Sequence, residues 1–138
     1  VPLFGEGCVG ELSVRWNPLL EAWVCLYNAD WAADRSAVGG IVMRWSKRPY
    51  GPWSPGDLVF SVNDGLGKFM HLPGVDHTQD GFGSDRSTNL GAMYGPYQIP
   101  QYAHRSDSGG GVRIYFTMSA ANPYQVMLMT VTIPALLG

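Results

Sequence analysis

The residues able to do chemistry are concentrated in a few places. Residues 63–93 carry four of the eleven carboxylates, Asp64, Asp76, Asp80 and Asp85, together with His71, His77 and Arg86. Carboxylates and imidazoles gathered in one polar stretch suit hydroxyl recognition and proton transfer. The competing account is a solvated loop whose Asp and Asn side chains cap its own turns. Several oxygen ligands fall close together over 76–85, but their spacing matches neither an EF-hand nor a zinc motif, so no metal and no cofactor is expected. His71 and His77 are candidate substrate contacts, with a hydrogen-bonded structural role for His71 as the alternative.

Glu11 stands apart from that stretch, in Gly10-Glu11-Leu12-Ser13-Val14 at the start of a strand, with its side chain directed opposite to Leu12, Val14 and Trp16. There it is either a carboxylate facing a ligand or a surface residue at a strand terminus, where charged side chains usually lie. Aromatic rings supply the other half of a sugar site, because they stack on the apolar face of a furanose or pyranose. Trp31 follows the second strand, and Tyr94 and Tyr97 flank Gly95-Pro96. Trp16, Trp23 and Trp45 alternate inside strands and read as packing, and Trp53 as the filling of a turn.

The elements that position these residues are strands. Of 138 residues 14% are charged, against about 25% in an ordinary soluble domain, while 46% are hydrophobic. The 18 glycines and 10 prolines leave little room for long helices. Residues 12–16, 23–29, 41–46 and 58–62 are rich in β-branched and aromatic side chains and are bounded by Gly, Pro, Asn or Asp, which predicts an antiparallel four-stranded meander. After the long loop, 94–102, 112–119 and 125–133 predict three strands of a second such sheet. Pairing Trp16 with Trp23 sets Cys25 opposite Val14, so a bridge between Cys8 and Cys25 would require Cys8 to fold back.

The two groups of strands repeat weakly, 23–28 and 41–46 corresponding to 114–119 and 126–132. In Trp23-Val24-Cys25-Leu26-Tyr27, Ile41-Val42-Met43 and Val126-Met127-Leu128-Met129 apolar side chains point to both faces. Sheets lying between other sheets need two apolar faces, so the expected fold is all-β, built from antiparallel four-stranded blades of a partial β-propeller. The chain would be one partial propeller unit, with a blade at 10–62, the long loop at 63–93 and a second blade at 94–133. Two blades cannot close a ring, so the outer apolar faces should be interfaces, covered by another copy of the chain or by a complementing N-terminal segment. A formal charge of −2 with scattered Lys and Arg argues against a nucleic-acid partner, and no apolar run reaches the roughly 20 residues of a membrane span.

Three segments carry a family resemblance. Residues Arg44 to Ser54, read Arg-Trp-Ser-Lys-Arg-Pro-Tyr-Gly-Pro-Trp-Ser, resemble the turn between third and fourth strands in many five-bladed propeller glycoside hydrolases. Gly10-Glu11-Leu12-Ser13-Val14-Arg15-Trp16-Asn17-Pro18, Tyr94-Gly95-Pro96-Tyr97 with Ile99-Pro100, and Asn122-Pro123-Tyr124-Gln125-Val126-Met127-Leu128-Met129 resemble the C-terminal half of domain of unknown function 4185. That group is associated with glycoside hydrolase family 183, the endo-acting D-arabinanases. The resemblance covers nearly the whole chain outside 63–93. It implies a five-bladed propeller, a secreted or cell-envelope setting and an arabinan-like polysaccharide or oligosaccharide as partner.

Glycoside hydrolysis uses two carboxyl groups, about 5 Å apart for retention and about 6.5–9.5 Å for inversion. The candidate catalytic residues on the chain's own pattern are Glu11 with Asp76 or Asp80, and the candidate substrate-binding residues are Trp31, His71, His77, Tyr94 and Tyr97. Glu11 serves alternatively as an acceptor for sugar hydroxyls. The expected function is thus a glycoside hydrolase, or the C-terminal portion of one, acting on furanose-containing envelope polysaccharide. The alternative is a carbohydrate-binding propeller module that holds sugar without cleaving it, and a third possibility is a structural half that completes a partner's fold.

Overall fold

The computed structural model describes residues 9–29, 40–61, 92–107, 110–121 and 124–134. It is all-β, built from antiparallel four-stranded sheets. The first sheet is a meander in sequence order, β1 (Val9–Asn17), β2 (Ala22–Ala29), β3 (Gly40–Ser46) and β4 (Asp57–Ser61). The second is centred on β7 (Gly111–Ala121), with β8 (Gln125–Pro134) along one side and β5 (Ala92–Gln98) followed by the short β6 (His104–Arg105) along the other. No closed ring forms among the described residues. None of their helices is long and apolar enough to cross a membrane.

Local chemistry accounts for these elements. Asn17 turns β1 into β2: its side-chain oxygen accepts from the backbone N–H groups of Leu19 and Leu20 at 3.0 and 3.2 Å, and Pro18 favours the bend. The register follows, with Trp16 opposite Trp23 and Val14 opposite Cys25, as the pattern predicts. Between β3 and β4, Ser54 closes the turn by accepting from Trp45 N–H at 3.0 Å and donating its own N–H to the Trp45 carbonyl at 2.9 Å. The strand predicted over 94–102 stops at Gln98. Pro100 cannot donate to a ladder, so Pro100–Tyr102 form a 3-10 turn before pairing resumes at His104.

The core lies between the two sheets. Val24, Leu26, Ile41, Met43 and Phe60 from the first sheet meet Met93, Val112, Ile114, Phe116, Met118 and Ile133 from the second. Burying each large side chain of this set contributes about 1.5–3 kcal/mol. β5 packs across β1 and β2, so the first strands of the two sheets are neighbours at one edge of the sandwiched core.

The outward faces differ. On the first sheet Leu12, Trp16 and Leu58 remain 46%, 43% and 63% exposed, and Trp16 meets Trp23 edge-on with ring centroids 5.9 Å apart. This is the uncovered apolar face the strand pattern predicts. Cys25 lies on the same side, fully buried beneath it, as a free thiol; Cys8 is outside the described residues. On β8 the pattern is half right: Met127, Met129, Val131 and Ile133 turn to the core, while Val126 and Leu128, 72% and 62% exposed, share the outer face with Thr130 and Thr132.

Candidate functional site

Both first strands are interrupted by a bulge that contains a glycine. In β1, Gly10 and Glu11 together oppose Asn28, since Val9 pairs with Ala29 and Leu12 with Tyr27. In β5, Gly95 and Pro96 oppose Met118, between the pairs Tyr94 with Ser119 and Tyr97 with Thr117. Gly95 has φ 62°, the left-handed region that glycine enters at no steric penalty. Gly10 is required for a different reason: a Cβ there would overlap the side-chain amide of Asn28. Bulges re-aim side chains and interrupt ladder pairing, and they recur beside functional sites.

This end of the molecule is a rim. Val9, Ala29, Gly40 and Ser61 lie in register across the first sheet, and Ala92 and Ala121 end the second. Glu11 acts electrostatically on Tyr94 near the beginnings of the two first strands, and Ser13 and Arg15 meet Gln98 and Tyr97 further along.

At the rim Glu11 is within electrostatic reach of Tyr94, and Tyr124, which is absent from the candidates chosen by residue type, stands against Tyr94. The Tyr94 and Tyr124 rings stand edge to face, 6.4 Å apart at 85°. The Tyr94 phenol is held above its ordinary pKa, first by side-chain hydrogen bonding with Tyr124, then by burial, and last by the charges of Tyr124 and Glu11. The Glu11 side chain is exposed, and no hydrogen bond engages its carboxylate among the described residues. Asn28, which the Gly10-Glu11 bulge opposes in the ladder, is 3% exposed, with an Oδ1 that has no hydrogen-bond partner.

Further along the same edge the two sheets are joined. Gln98 Nε2 donates to the carbonyl oxygens of Ser13 at 2.8 Å and Val24 at 2.9 Å, and Gln98 N–H donates to Ser13 Oγ at 3.2 Å. Arg15 Nη2 donates to the Tyr97 hydroxyl at 2.7 Å while the guanidinium lies 5.0 Å from the centre of the same ring. Tyr97 thus belongs with Arg15 rather than with Tyr94. Arg15, Gln98, Asn28 and Tyr124 each escape a search by residue type, because Gln and Asn are uncharged and Arg15 resembles an ordinary exposed strand residue. The one sequence signal is the pair of Gly-containing segments that become bulges.

The remaining candidates, Trp31, His71, Asp76, His77 and Asp80, lie outside the described residues. The strand ends that flank them, Ala29 and Gly40 for Trp31 and Ser61 and Ala92 for the others, are all at the rim. Among the described residues no three His, Cys, Asp or Glu side chains gather as metal ligands.

The family model described as "Domain of unknown function (DUF4185)" matches residues 1–130. No curated protein matches the chain.

Proposed function

The chain belongs to the DUF4185 family, and from that premise we propose that it is a glycoside hydrolase, or the C-terminal portion of one, acting on furanose-containing, D-arabinan-like polysaccharide of the cell envelope. The observation that carries this reading is the rim: an exposed carboxylate, Glu11, with no hydrogen-bond partner among the described residues, within electrostatic reach of Tyr94, whose ring meets that of Tyr124 edge to face. Aromatic rings beside a carboxylate are the equipment for holding a neutral sugar and acting on it. The packing of β5 against β1 and β2, which sets the first strands of two four-stranded sheets side by side, supports a propeller arrangement, five-bladed by family resemblance, whose axis those strands would line.

In that arrangement Glu11 is one of the two carboxyl groups glycoside hydrolysis needs, and Asp76 or Asp80 the other. Trp31, His71 and His77 would contact substrate from the segments joined to the rim, and Tyr97 from the seam. The setting is secreted or envelope-associated. The uncovered face bearing Leu12, Trp16 and Leu58 is an assembly surface, met by another copy or by an N-terminal complementing segment.

A carbohydrate-binding module without catalysis is the second reading. It is favoured by one fact: Glu11 is the single carboxylate at the rim among the described residues, since Glu21, Asp57 and Asp107 lie toward the opposite end. Incubation with D-arabinan separates the two. Released oligosaccharides that disappear in Glu11→Gln support hydrolysis, whereas saturable binding without release supports the module. Neither release nor binding would refute both.

A further inference from the structure

Asn28 is the least explained polar group among the described residues. Its amide is almost wholly buried, yet its oxygen accepts no hydrogen bond. More than nine in ten buried polar groups in folded proteins are paired, and an orphan weakens the fold it sits in. The protein can satisfy such a group, since Gln98, equally buried at the same inter-sheet edge, has both amide hydrogens committed to carbonyl oxygens. Moreover, the neighbouring strand makes room for the Asn28 amide. A Cβ on Gly10 would come within 2.7 Å of Asn28 Cγ and 2.9 Å of its Oδ1, and Gly10 itself is exposed. The amide therefore lies one atomic layer below the surface, beneath a bulge whose two residues are not held in the β1–β2 ladder.

We propose that Asn28 is a binding residue for a neutral sugar, its Oδ1 kept for one hydroxyl of the ligand while the Glu11 carboxylate accepts a neighbouring one. This rests on the carbohydrate reading of the rim and deepens it. Glu11 and Asn28 face each other across the β1–β2 bulge, and a ligand engaging both acceptors needs two adjacent donors, which a vicinal diol supplies. One of those acceptors is negatively charged, and the guanidinium on the same strand, Arg15, is turned to Tyr97, so an anionic sugar is disfavoured. The exposed ring of Tyr124, met edge to face by Tyr94, supplies an apolar wall. Entry of the hydroxyl requires the unpaired bulge at Gly10 and Glu11 to move aside, a small local displacement that leaves the flanking ladder intact.

The test uses the 15N-labelled chain titrated with a neutral D-arabinan oligosaccharide and, separately, with an oligogalacturonate. The Asn28 side-chain amide signals should shift and saturate with the neutral sugar and stay in place with the uronate. Asn28→Leu, which removes the unpaired oxygen at similar volume, should hold or raise the melting midpoint while weakening binding of the neutral sugar at least tenfold. Binding by Asn28→Leu at wild-type strength, an Asn28 amide that does not move at saturation, or equal response to the uronate would each overturn the proposal. If Asn28→Leu does not fold, the wild-type titration decides alone. If the wild-type chain shows no saturable response to the neutral sugar at any residue, the carbohydrate reading falls and this inference with it, an outcome distinct from binding that bypasses Asn28.

Discussion

Two buried amides at one edge of this molecule have opposite fates. Gln98, on β5, reaches across to the first sheet and donates to Ser13 and Val24. Asn28, on β2 near the rim, has a carbonyl oxygen that nothing engages. Both are nearly inaccessible, and both face the gap between the sheets. The difference separates a group that holds the sheets together from a group that the sheets merely tolerate. A satisfied buried amide adds roughly 1 kcal/mol per hydrogen bond and leaves costly orphans when removed, whereas an unsatisfied one is already a burden of about 1–3 kcal/mol.

The strongest way to break that comparison is to remove the satisfied member. Gln98→Leu takes the side-chain donor from two carbonyl oxygens, Ser13 and Val24, in a dry seam, while the backbone N–H at 98 still serves Ser13 Oγ, so unfolding free energy should fall by about 2–4 kcal/mol in a denaturant titration. A loss below about 1 kcal/mol would mean that Gln98 is no staple.

A third buried polar group, the Cys25 thiol, extends the comparison by pH. Burial pushes its pKa from 9.0 up to about 12, with the Arg44 charge opposing only in part. The unfolded thiol releases its proton near 9 and the folded one near 12, so the folded state binds more protons in that window and stability falls as pH rises through it. Stability measured between pH 8 and pH 12 should decline more steeply for the wild-type chain than for Cys25→Ala. Equal slopes would place the thiol in a wetter setting.

Gly10→Ala sharpens the other side. Its methyl must displace the Asn28 amide, and the expected loss is about 1–3 kcal/mol, typical of overpacking, with the double change Gly10→Ala and Asn28→Ala recovering most of it. Failure of the second substitution to rescue the first would show that the bulge, and not the amide, resists the methyl. The smallest effect belongs to the exposed end of the seam. Tyr97→Phe removes the hydroxyl that accepts from Arg15 but keeps the ring, and should change stability by at most about 0.5 kcal/mol.

Much of the scaffold was legible in the pattern of residue types. The meander, the pairing of Trp16 with Trp23, and the placing of Cys25 opposite Val14 follow from alternation and from the turn at Asn17-Pro18, which are local in the chain. Glu11 and Tyr94 could also be chosen as candidates, because a lone carboxylate at a strand start and an aromatic beside Gly-Pro are visible by type. The strand that alternation predicts over 94–102 ends at Gln98, because Pro100 withdraws a donor from the ladder. Val126 and Leu128 looked like core on one more face than they occupy, since β8 has the second sheet's outer side and not a third sheet beside it.

The sequence by itself determined that this chain forms antiparallel strands with more apolar surface than one sheet can hide, because side-chain period and turn residues act over a few neighbours. Only the tertiary structure decided what its two buried amides do. Asn28 and Gln98 are the same functional group on strands of similar character, and which one finds carbonyl oxygens depends on the chain 74 to 85 residues away, brought close by sheet packing. Whether a polar group is paired is a property of what folds against it, and no pattern of neighbours along the chain encodes that distance.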